Sequence, residues 1–406
     1  MKKKSLIIFS LLFIISFNII SFAEGWETQN GETRFKRNGS YVMGEILHYD
    51  GHSYILDTNG YLEKNCWVDL ANNTYYATSD GSLYCDGKFL IDDHYYYFDR
   101  DCVRLKGWID DNYYANDEGY LVNGFQNLVY PNDWHVEDHD KNAERRGWFY
   151  FDSTYKKVAA RDDAYLAKSI SGSTYCFDQN GIIRTGWRQV KDQTPVMRGY
   201  MYFVPEETSK FKYGEAVKSS WYSIEPPTEV TGNDEVRYFY FNSSGQLKVA
   251  PEGTYVKGRI ESKTFLFNQY GYCVYGIRKV GDDYYYFGNN SKDCSMKTGK
   301  FNLQNGSEAI EYYFNPNEDG KGYSGVYNNK LYYKGRLQKA DSYSKYVAYK
   351  VGRAIYLVNT SGTVVKNLKK KKDGNGAAWS TDSSGIVTYT DEGETQQPEA
   401  PEVTDD

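Results

Sequence analysis

The sequence repeats itself in units of roughly twenty to twenty-six residues, and this repetition constrains the fold more than any other feature. The segments FDRDCVRLKGW (98–108) and FDQNGIIRTGW (177–187) carry Phe, Asp, Gly and Trp at matching offsets. A turn residue, usually glycine, marks each repeat, and its first five occurrences are spaced by 21, 21, 21 and 17 residues: Gly39, Gly60, Gly81, Cys102 and Gly119. The marker resumes later in the chain at Gly181, Gly245, Gly271, Cys294, Gly320, Gly362 and Gly385. Such a period predicts an array of small supersecondary units that bury their apolar faces only against one another.

Each repeat is predicted to be a β-hairpin. Aromatic runs such as HYYYF (94–98) and YYYF (284–287) favour strands. They run into turns such as DQNG (178–181), where glycine supplies the positive φ of a tight turn. A short second strand then ends at a glycine and an aromatic residue, as at Gly107-Trp108. With no helical period over a dozen residues, the sequence predicts an all-β fold, a solenoid of tandem aromatic-rich β-hairpin repeats.

The composition fits thin, ring-packed repeats better than one large core. Tyrosine accounts for 42 and glycine for 37 of the 406 residues, and the mean hydropathy is -0.71. Tyrosine suits such an array because one part of its ring can be buried while its hydroxyl stays in water.

The N-terminus has the pattern of an export signal. Lys2, Lys3 and Lys4 precede an apolar run that ends in Ser21-Phe22-Ala23, a small-x-small cleavage signal. An uncleaved anchor would usually need a longer span. We therefore expect a signal peptide at 1–23 and a secreted protein. Because no sorting motif is visible, any retention at the wall or surface should be non-covalent.

The repeats are predicted to fill residues 24–390, with insertions near 131–146 and 204–235. The acidic segment 391–406 is predicted to be disordered. In the first insertion His135 and His139, with flanking acids, could hold a metal. An exposed loop between repeats is the favoured interpretation.

The charge balance excludes nucleic acid as a partner. Removing the signal leaves 45 Lys and Arg against 54 Asp and Glu, whereas nucleic-acid binding requires a basic face. The one basic run, Lys369 to Lys372, is interpreted as a solvated turn.

Six cysteines are scattered along the chain without paired spacing: Cys66, Cys85, Cys102, Cys176, Cys273 and Cys294. Export makes disulfides chemically possible. Because several occupy ordinary repeat positions, we expect small buried thiols for most of them. One bridge among the first three stays open, and no CxxC-like pair predicts a zinc site.

The sequence contains no recognisable catalytic motif. There is no GxSxG and no HExxH. GKGYSG (320–325) matches a dinucleotide fingerprint only by chance, because no helix follows it. A glycosidase carboxylate pair could still be present, because spatial separation and not sequence spacing defines such pairs. We predict no catalytic residue, no metal and no cofactor.

Repeats of the form Gly-Trp, aromatic pair or triplet, then Phe-Asp/Asn-x-x-Gly resemble the bacterial cell-wall-binding repeats. That family includes choline-binding modules, glucan-binding repeats, and the carbohydrate-binding repeats of large clostridial toxins. The resemblance covers about Gly25 to Tyr389. It implies a superhelical hairpin solenoid with ligands held between consecutive hairpins by aromatic side chains.

This chain departs from the choline-binding pattern in its aromatic residues. The Trp-Tyr-Tyr of that pattern is here mostly Tyr-Tyr, Tyr-Tyr-Phe or Phe-Tyr-Phe, and the whole chain has eight tryptophans. A choline cage depends on cation–π attraction, for which Trp offers the best face. Tyrosine-rich repeats therefore resemble the glucan-binding and toxin repeats more closely.

The candidate ligand-binding residues, for carbohydrate or choline, are aromatics in the Trp-bearing repeats. They are Tyr96, Trp108, Tyr114, Trp148, Tyr150, Trp187, Tyr202 and Trp221. Core packing between hairpins is the competing interpretation for each ring.

Three functions fit the sequence, in descending order. The first is a non-enzymatic exported protein that binds cell-wall polysaccharide, teichoic acid or glucan multivalently. The second is an adhesin or toxin-like receptor module that recognises host glycans. The third, a distant one, is a wall-active enzyme with catalytic residues in the insertions, although about 16 residues cannot bury a core.

Overall fold

A computed structural model describes residues 24–136, 145–162, 164–194, 196–232, 235–305 and 308–404. The predicted signal peptide and the middle of the first insertion, including His139, lie outside the described residues. The chain divides into two compact units. The N-terminal unit contains residues 24–133 and 145–158, and the C-terminal unit contains residues 134–136 and those from 159 onward.

The described part of the N-terminal unit consists of short strands. They are β1 (Gly25–Gln29), β2 (Glu32–Arg37), β3 (Ser40–Tyr41), β4 (Glu45–Tyr49), β5 (His52–Leu56), β6 (Cys66–Leu70), β7 (Asn73–Ala77), β8 (Gly87–Ile91), β9 (His94–Phe98), β10 (Gly107–Ile109), β11 (Tyr113–Ala115), β12 (Gly124–Val129) and β13 (Arg146–Phe151).

The C-terminal unit continues the same pattern. Its strands are β14 (Leu166–Ile170), β15 (Ser173–Phe177), β16 (Ile183–Arg184), β17 (Gly186–Gln189), β18 (Tyr200–Phe203), β19 (Ser220–Ile224), β20 (Arg237–Phe241), β21 (Val256–Ile260), β22 (Lys263–Phe267), β23 (Ile277–Val280), β24 (Asp283–Tyr286), β25 (Gly299–Asn305), β26 (Glu308–Asn315), β27 (Lys321–Gly322), β28 (Gly325–Tyr327), β29 (Lys330–Tyr333), β30 (Arg336–Leu337), β31 (Tyr346–Val351), β32 (Ala354–Asn359), β33 (Lys371–Lys372), β34 (Ala378–Thr381), β35 (Val387–Asp391) and β36 (Thr395–Gln396). Among the residues of this unit that the structure describes, the helical elements are α1 (Thr228–Thr231) and two 3₁₀ turns, Val196–Gly199 and Pro316–Glu318. No helix in the described ranges is long and apolar enough to cross a membrane.

Consecutive strands pair as antiparallel hairpins, which confirms the all-β prediction of tandem aromatic-rich hairpin repeats. In β8–β9, Gly87 pairs with Phe98 and Lys88 with Tyr97. The turn between these strands is formed by Asp92 and Asp93, with φ of 48° and 67°. Two consecutive residues with positive φ fit the twist of a tight hairpin, and Asp and Asn tolerate this conformation better than most residues.

The turn after each aromatic run has a different role from the predicted one. Asp57 Oδ1 accepts hydrogen bonds from the backbone N–H groups of Asn59 and Tyr61, at 2.8 and 2.7 Å. The chain then makes a single bridge from Leu62 back to Leu56. The sequence placed the hairpin turn at this point, but the structure closes the main hairpin before the aromatic run. The Asp/Asn-x-x-Gly turn instead directs the chain toward the next repeat.

Repeats pack through the aromatic strand and through this turn. Where a phenylalanine precedes the Asp/Asn turn it has no exposed surface, as seen at Phe98, Phe151, Phe177, Phe241, Phe267 and Phe314. The turn glycine of one repeat lies against the preceding repeat: a Cβ on Gly81 (φ 93°) would come within 2.6 Å of Leu62 Cδ2. Glycine is needed there both for its backbone conformation and for the close approach.

Two disulfides join neighbouring repeats, Cys85–Cys102 and Cys273–Cys294. The expectation of free thiols was therefore wrong for four of the cysteines, whereas the bridge left open among the first three is confirmed. Cys102 occupies a turn-glycine position with φ of 66°. A side chain at this position faces the preceding repeat, which brings its sulfur to Cys85. Cys66 and Cys176 are free.

The C-terminal segment differs from the prediction of disorder. Within the described residues, β36 pairs in parallel with β31, and Glu399 hydrogen-bonds to Gln338 across 61 positions of sequence. Composition alone predicted a solvated acidic tail. The structure gives its backbone and side chains specific partners.

Candidate ligand-binding sites between hairpins

Four tryptophans at the second position of the first strand of a hairpin face a tyrosine on the opposite strand and share one aromatic environment. Trp26 holds the same position in β1 but faces Phe35. The Trp67 ring lies 5.0 Å from Tyr76, directly opposite in the same hairpin. It also lies 4.7 Å from Tyr96 and 6.1 Å from Phe98, two rings on the second strand of the next hairpin. The tryptophan therefore bridges consecutive hairpins.

Trp108 repeats this arrangement in the same unit. Its ring is 5.3 Å from Tyr114 across the hairpin, and 4.9 and 6.0 Å from Phe149 and Phe151 of the next hairpin. The indole N–H donates to the backbone carbonyl of Val129 at 2.9 Å. That hydrogen bond fixes the orientation of the indole ring between the two hairpins.

In the C-terminal unit, Trp187 contacts aromatic residues at the positions equivalent to those around Trp108. Tyr202 lies opposite at 5.3 Å, and Phe239 and Phe241 of the next hairpin lie at 5.1 and 5.7 Å. The indole N–H donates to the Glu225 carbonyl at 2.8 Å. Glu225 belongs to the enlarged connection between β19 and β20, in the second predicted insertion, which contains α1.

Trp221 completes the set. Its ring is 5.2 Å from Tyr240, and 4.7 and 6.1 Å from Phe265 and Phe267 of the next hairpin. Tyr238 stacks on it at 4.8 Å with an interplanar angle of 8°. All four tryptophans are half-buried, whereas most of the phenylalanines beneath them are fully buried. Each cluster thus presents part of an aromatic ring at a boundary between hairpins.

Cations of the protein cover two of these rings. The Arg104 guanidinium lies 5.2 Å from the centre of Trp67, and the Lys157 ammonium lies 5.3 Å from Trp108. Both residues follow the turn of the next repeat, where they bridge back to its aromatic strand. Across the described ranges, no Lys or Arg lies over Trp187 or Trp221.

A further aromatic cage is filled by the chain itself. The Lys88 ammonium lies 5.1, 5.8 and 5.4 Å from the ring centres of Tyr95, Tyr113 and Tyr155. It also donates to the Thr154 carbonyl at 2.7 Å. Lys88 follows Gly87 at the position that holds tryptophan in the four clusters. A charged residue at this position fills a site for a cation by cation–π attraction.

The hydroxyls of Tyr96 and Tyr202, one from each unit, remain protonated at neutral pH. Burial raises the pKa of Tyr96 above its ordinary value of 10.0 and does the same for Tyr202. A protonated phenol both donates and accepts hydrogen bonds. The clusters therefore combine ring faces with hydroxyl groups that can bind a polar ligand.

The structure brings together most of the predicted site residues. Tyr96 contacts Trp67, Trp108 contacts Tyr114, Trp187 contacts Tyr202, and Trp221 lies in its own cluster. Two residues lie apart from the clusters. Trp148 is 39% exposed and faces away from the buried Phe149 and Phe151, while Tyr150 packs on Phe125 at 4.9 Å.

The exposure of Trp148 follows from the first insertion. Gly147-Trp148 matches Gly107-Trp108, the pair that begins the β10–β11 hairpin. The structure places it on β13, the second strand of a hairpin whose connection contains the insertion, with Trp148 opposite Asn127. Because side chains alternate along a strand, Trp148 points to the face opposite that of Phe149.

Sequence reasoning missed Trp67, the lysine-filled tyrosine cage and the buried phenylalanines of the clusters. Trp67 follows Cys66, whereas glycine precedes Trp108 and Trp187, so the Gly-Trp pattern did not identify it. Its position 41 residues before Trp108, close to twice the repeat, was the available signal.

The described residues hold no group of three or more His, Cys, Asp or Glu side chains placed to bind a metal. Of the two histidines considered for a metal, His135 accepts a hydrogen bond at its backbone carbonyl from Asn180 at 2.6 Å, and His139 lies outside the described ranges.

Comparison with known proteins found no matching family model and no matching curated protein. Among solved structures, CbpJ from Streptococcus pneumoniae TIGR4 is 19% identical, with a TM-score of 0.41, and the match covers 80% of this chain and 99% of that one. Choline binding protein F from S. pneumoniae is also 19% identical, with a TM-score of 0.40 and coverage of 80% and 98%. The choline binding domain of Spr1274 from S. pneumoniae is 25% identical, with a TM-score of 0.19, and covers 21% of this chain and 100% of that domain.

Proposed function

We propose that this chain is an exported, non-enzymatic protein that binds cell-wall carbohydrate polymers multivalently, through the aromatic clusters between consecutive hairpins. The observation that carries the proposal is the recurrence of one arrangement around Trp67, Trp108, Trp187 and Trp221. Each unit contributes two clusters. Several weak sites on one chain give a polymer far greater avidity than any single site.

The chemistry of the clusters suits a sugar. An aromatic ring packs against the apolar face of a pyranose, and neighbouring polar groups bind its hydroxyls, the combination expected of a specific polar-ligand site. Tyr96 and Tyr202 supply phenolic hydroxyls. Arg104 and Lys157 supply N–H donors beside two of the tryptophans.

Free choline is less suited to the clusters of the N-terminal unit. A quaternary ammonium group would have to approach a ring already covered by Arg104 or Lys157, and like charges repel. A neutral glycan meets no such repulsion, and the phosphates of a teichoic acid would be attracted. Wall polysaccharide, glucan and teichoic acid are thus the proposed partners.

Co-sedimentation of the mature protein (residues 24–406) with purified Gram-positive cell walls tests this proposal. Bound protein is washed with buffer, soluble glucan or choline, and a host-glycan array is run in parallel. We expect wall binding that soluble glucan releases more effectively than choline. Hits confined to host glycans would assign the protein to the adhesin class, and binding to neither would contradict the proposal.

The chain offers a matched pair of variants for the same assay. Trp187→Ala removes the central ring of a cluster. Trp148→Ala removes an exposed tryptophan that contacts no aromatic ring within the described residues. We expect Trp187→Ala to weaken wall binding several-fold and Trp148→Ala to leave it unchanged. Circular dichroism spectra of both variants verify that the fold is retained.

A further inference from the structure

The segment Thr395–Thr404, here called the strap, runs back across four hairpins of the C-terminal unit. It begins at β31, passes β30 and the β25–β26 hairpin, and ends at β23. Ten extended residues reach about 33 Å, which is enough to cross several strands. The strap therefore contacts residues that lie 61 and 127 positions away in sequence.

Gln338 holds the middle of the strap. Its side chain is only 2% exposed. Its Oε1 accepts from the Glu399 N–H, and its Nε2 donates to the Glu399 carbonyl, each at 2.8 Å. The buried amide of Gln338 thus pairs with both the N–H and the C=O of one strap residue. It satisfies the hydrogen bonds that a neighbouring β-strand would otherwise make, and so favours an extended backbone at Glu399.

The end of the strap pairs with the free edge of β23. The Thr404 N–H donates to the Ile277 carbonyl at 3.0 Å, and the Ile277 N–H donates to Thr404 Oγ1 at 2.9 Å. A Cβ on the neighbouring Gly276 would come within 2.3 Å of Thr404 Oγ1. Only glycine at position 276 leaves room for this contact. The strap thus binds by adding to strand edges, a recurring mode of peptide recognition.

Charge and shape fit the same segment. The Arg336 guanidinium lies 2.6 Å from the Glu399 carboxylate, and Arg278, 1% exposed, donates to the Thr404 carbonyl. Ala400 packs against a core cluster that includes Ile277 and Tyr312. Pro398 and Pro401 favour an extended backbone before and at their positions.

We propose that this groove is a peptide-binding site for an extended, acidic, proline-containing segment, filled here by the strap of the same chain. The recognition groups are Gln338, Arg336, Arg278 and the Ile277 edge. This binding site is separate from the aromatic clusters and does not depend on the proposed glycan-binding function. Because these contacts, and not the covalent connection to β35, hold the strap in the groove, the strap should stay bound after that connection is cut. A free peptide of the same sequence should compete with it for the groove.

The test uses the full chain with residues 392–394 replaced by a specific protease site. After cleavage, native mass spectrometry measures how much strap remains bound, and a labelled peptide of residues 395–406 reports rebinding by fluorescence anisotropy. We expect retention of the cut strap and saturable rebinding. A peptide of the same composition in scrambled order should bind at least tenfold more weakly.

Peptide variants keep the test independent of the folding of the body. Replacing Glu399 by Gln in the peptide removes the charge pair with Arg336 and should weaken binding about threefold to tenfold. Changing Thr404 to Val removes the hydroxyl that accepts from Ile277 and should weaken it similarly. Gln338→Ala in the body should have a larger effect on binding of the unchanged peptide. Immediate loss of the cut strap, or equal binding of the native and scrambled peptides, would overturn the proposal.

Discussion

The ammonium of Lys88 lies 5.4 Å from the centre of the Tyr155 ring. Lys88 is on β8, whereas Tyr155 follows β13, two hairpins later in the chain. Together with Tyr95 and Tyr113, this ring forms a cage around a charge supplied by the protein. The fold therefore builds an ammonium site from its repeats and fills it internally.

Replacing Lys88 by Met should destabilise the N-terminal unit by about 1–2 kcal/mol, the range for a partly desolvated cation–π contact. Methionine keeps the length and apolar character of the side chain but removes its charge. Lys156→Met, at an exposed lysine in the turn after β13, is the control and should change the stability little. Urea unfolding followed by far-UV circular dichroism measures both variants.

The same variant should acquire sensitivity to choline. With Lys88 replaced, the three tyrosines can accept a quaternary ammonium group. We expect millimolar choline to raise the thermal midpoint of Lys88→Met more than that of the unmodified protein. An equal response of the two proteins would mean that the lysine does not block the cage.

Part of this arrangement could be predicted from the sequence. The regular repeats predicted the all-β hairpin array and identified Trp108, Tyr114, Trp187 and Tyr202 as candidate site residues. Which of these rings face each other depends on strand register, which the structure supplied. Trp67 was missed because Cys66 replaces the expected glycine. The Trp148 position was misread because an insertion inside a hairpin looks, in sequence, like a boundary between repeats.

Other contacts leave no local signal. The partners of the strap lie 61 and 127 residues away, so its acidic composition predicted only a solvated tail. The disulfide pairing could not be predicted from the sequence either, because each bridged cysteine occupies an ordinary repeat position. The packing of one repeat on the next determines which cysteines meet.

Gly81→Ala should destabilise the N-terminal unit more than Gly51→Ala. Both glycines have positive φ, 93° and 75°, but a Cβ on Gly81 would lie 2.6 Å from Leu62 Cδ2, whereas a Cβ on Gly51 meets nothing within 4 Å. Backbone strain costs about 1–2 kcal/mol in each, and overpacking adds about 1–3 kcal/mol at Gly81 alone. Urea unfolding of the two variants measures the difference. Equal losses of unfolding free energy would show that the Leu62 side chain moves aside at no cost.

Removing the Cys85–Cys102 bridge should be partly compensated by restoring glycine at the turn. The bridge has a sequence separation of 17, and closing a loop of this size contributes about 3 kcal/mol. Because Cys102 has φ of 66°, Cys85→Ala/Cys102→Gly should be about 1 kcal/mol more stable than Cys85→Ala/Cys102→Ala. Thermal unfolding under oxidising conditions compares both with the unmodified protein. Equal thermal midpoints for the two double variants would show that a Cβ at position 102 does not strain the turn.

The two free cysteines should differ in reactivity, and one of them should make the stability depend on alkaline pH. Burial raises the pKa of the Cys176 thiol from 9.0 to about 12, and burial with a hydrogen bond to Glu63 raises that of Cys66. Iodoacetamide acts on the thiolate, so in the native protein it should modify half-buried Cys66 slowly and Cys176 only after unfolding.

For Cys176 the folded pKa exceeds the unfolded one, so the unfolded chain loses its proton first as the pH rises. The contribution to stability is therefore complete below pH 9.0 and is lost progressively toward pH 12. Cys176→Ala removes this dependence while also removing buried sulfur. We expect the unmodified protein to be more stable than the variant at pH 8, with a gap that narrows by pH 10.5, as measured by urea unfolding at both values. A gap that stays constant would place the thiol in a more hydrated environment than its burial indicates.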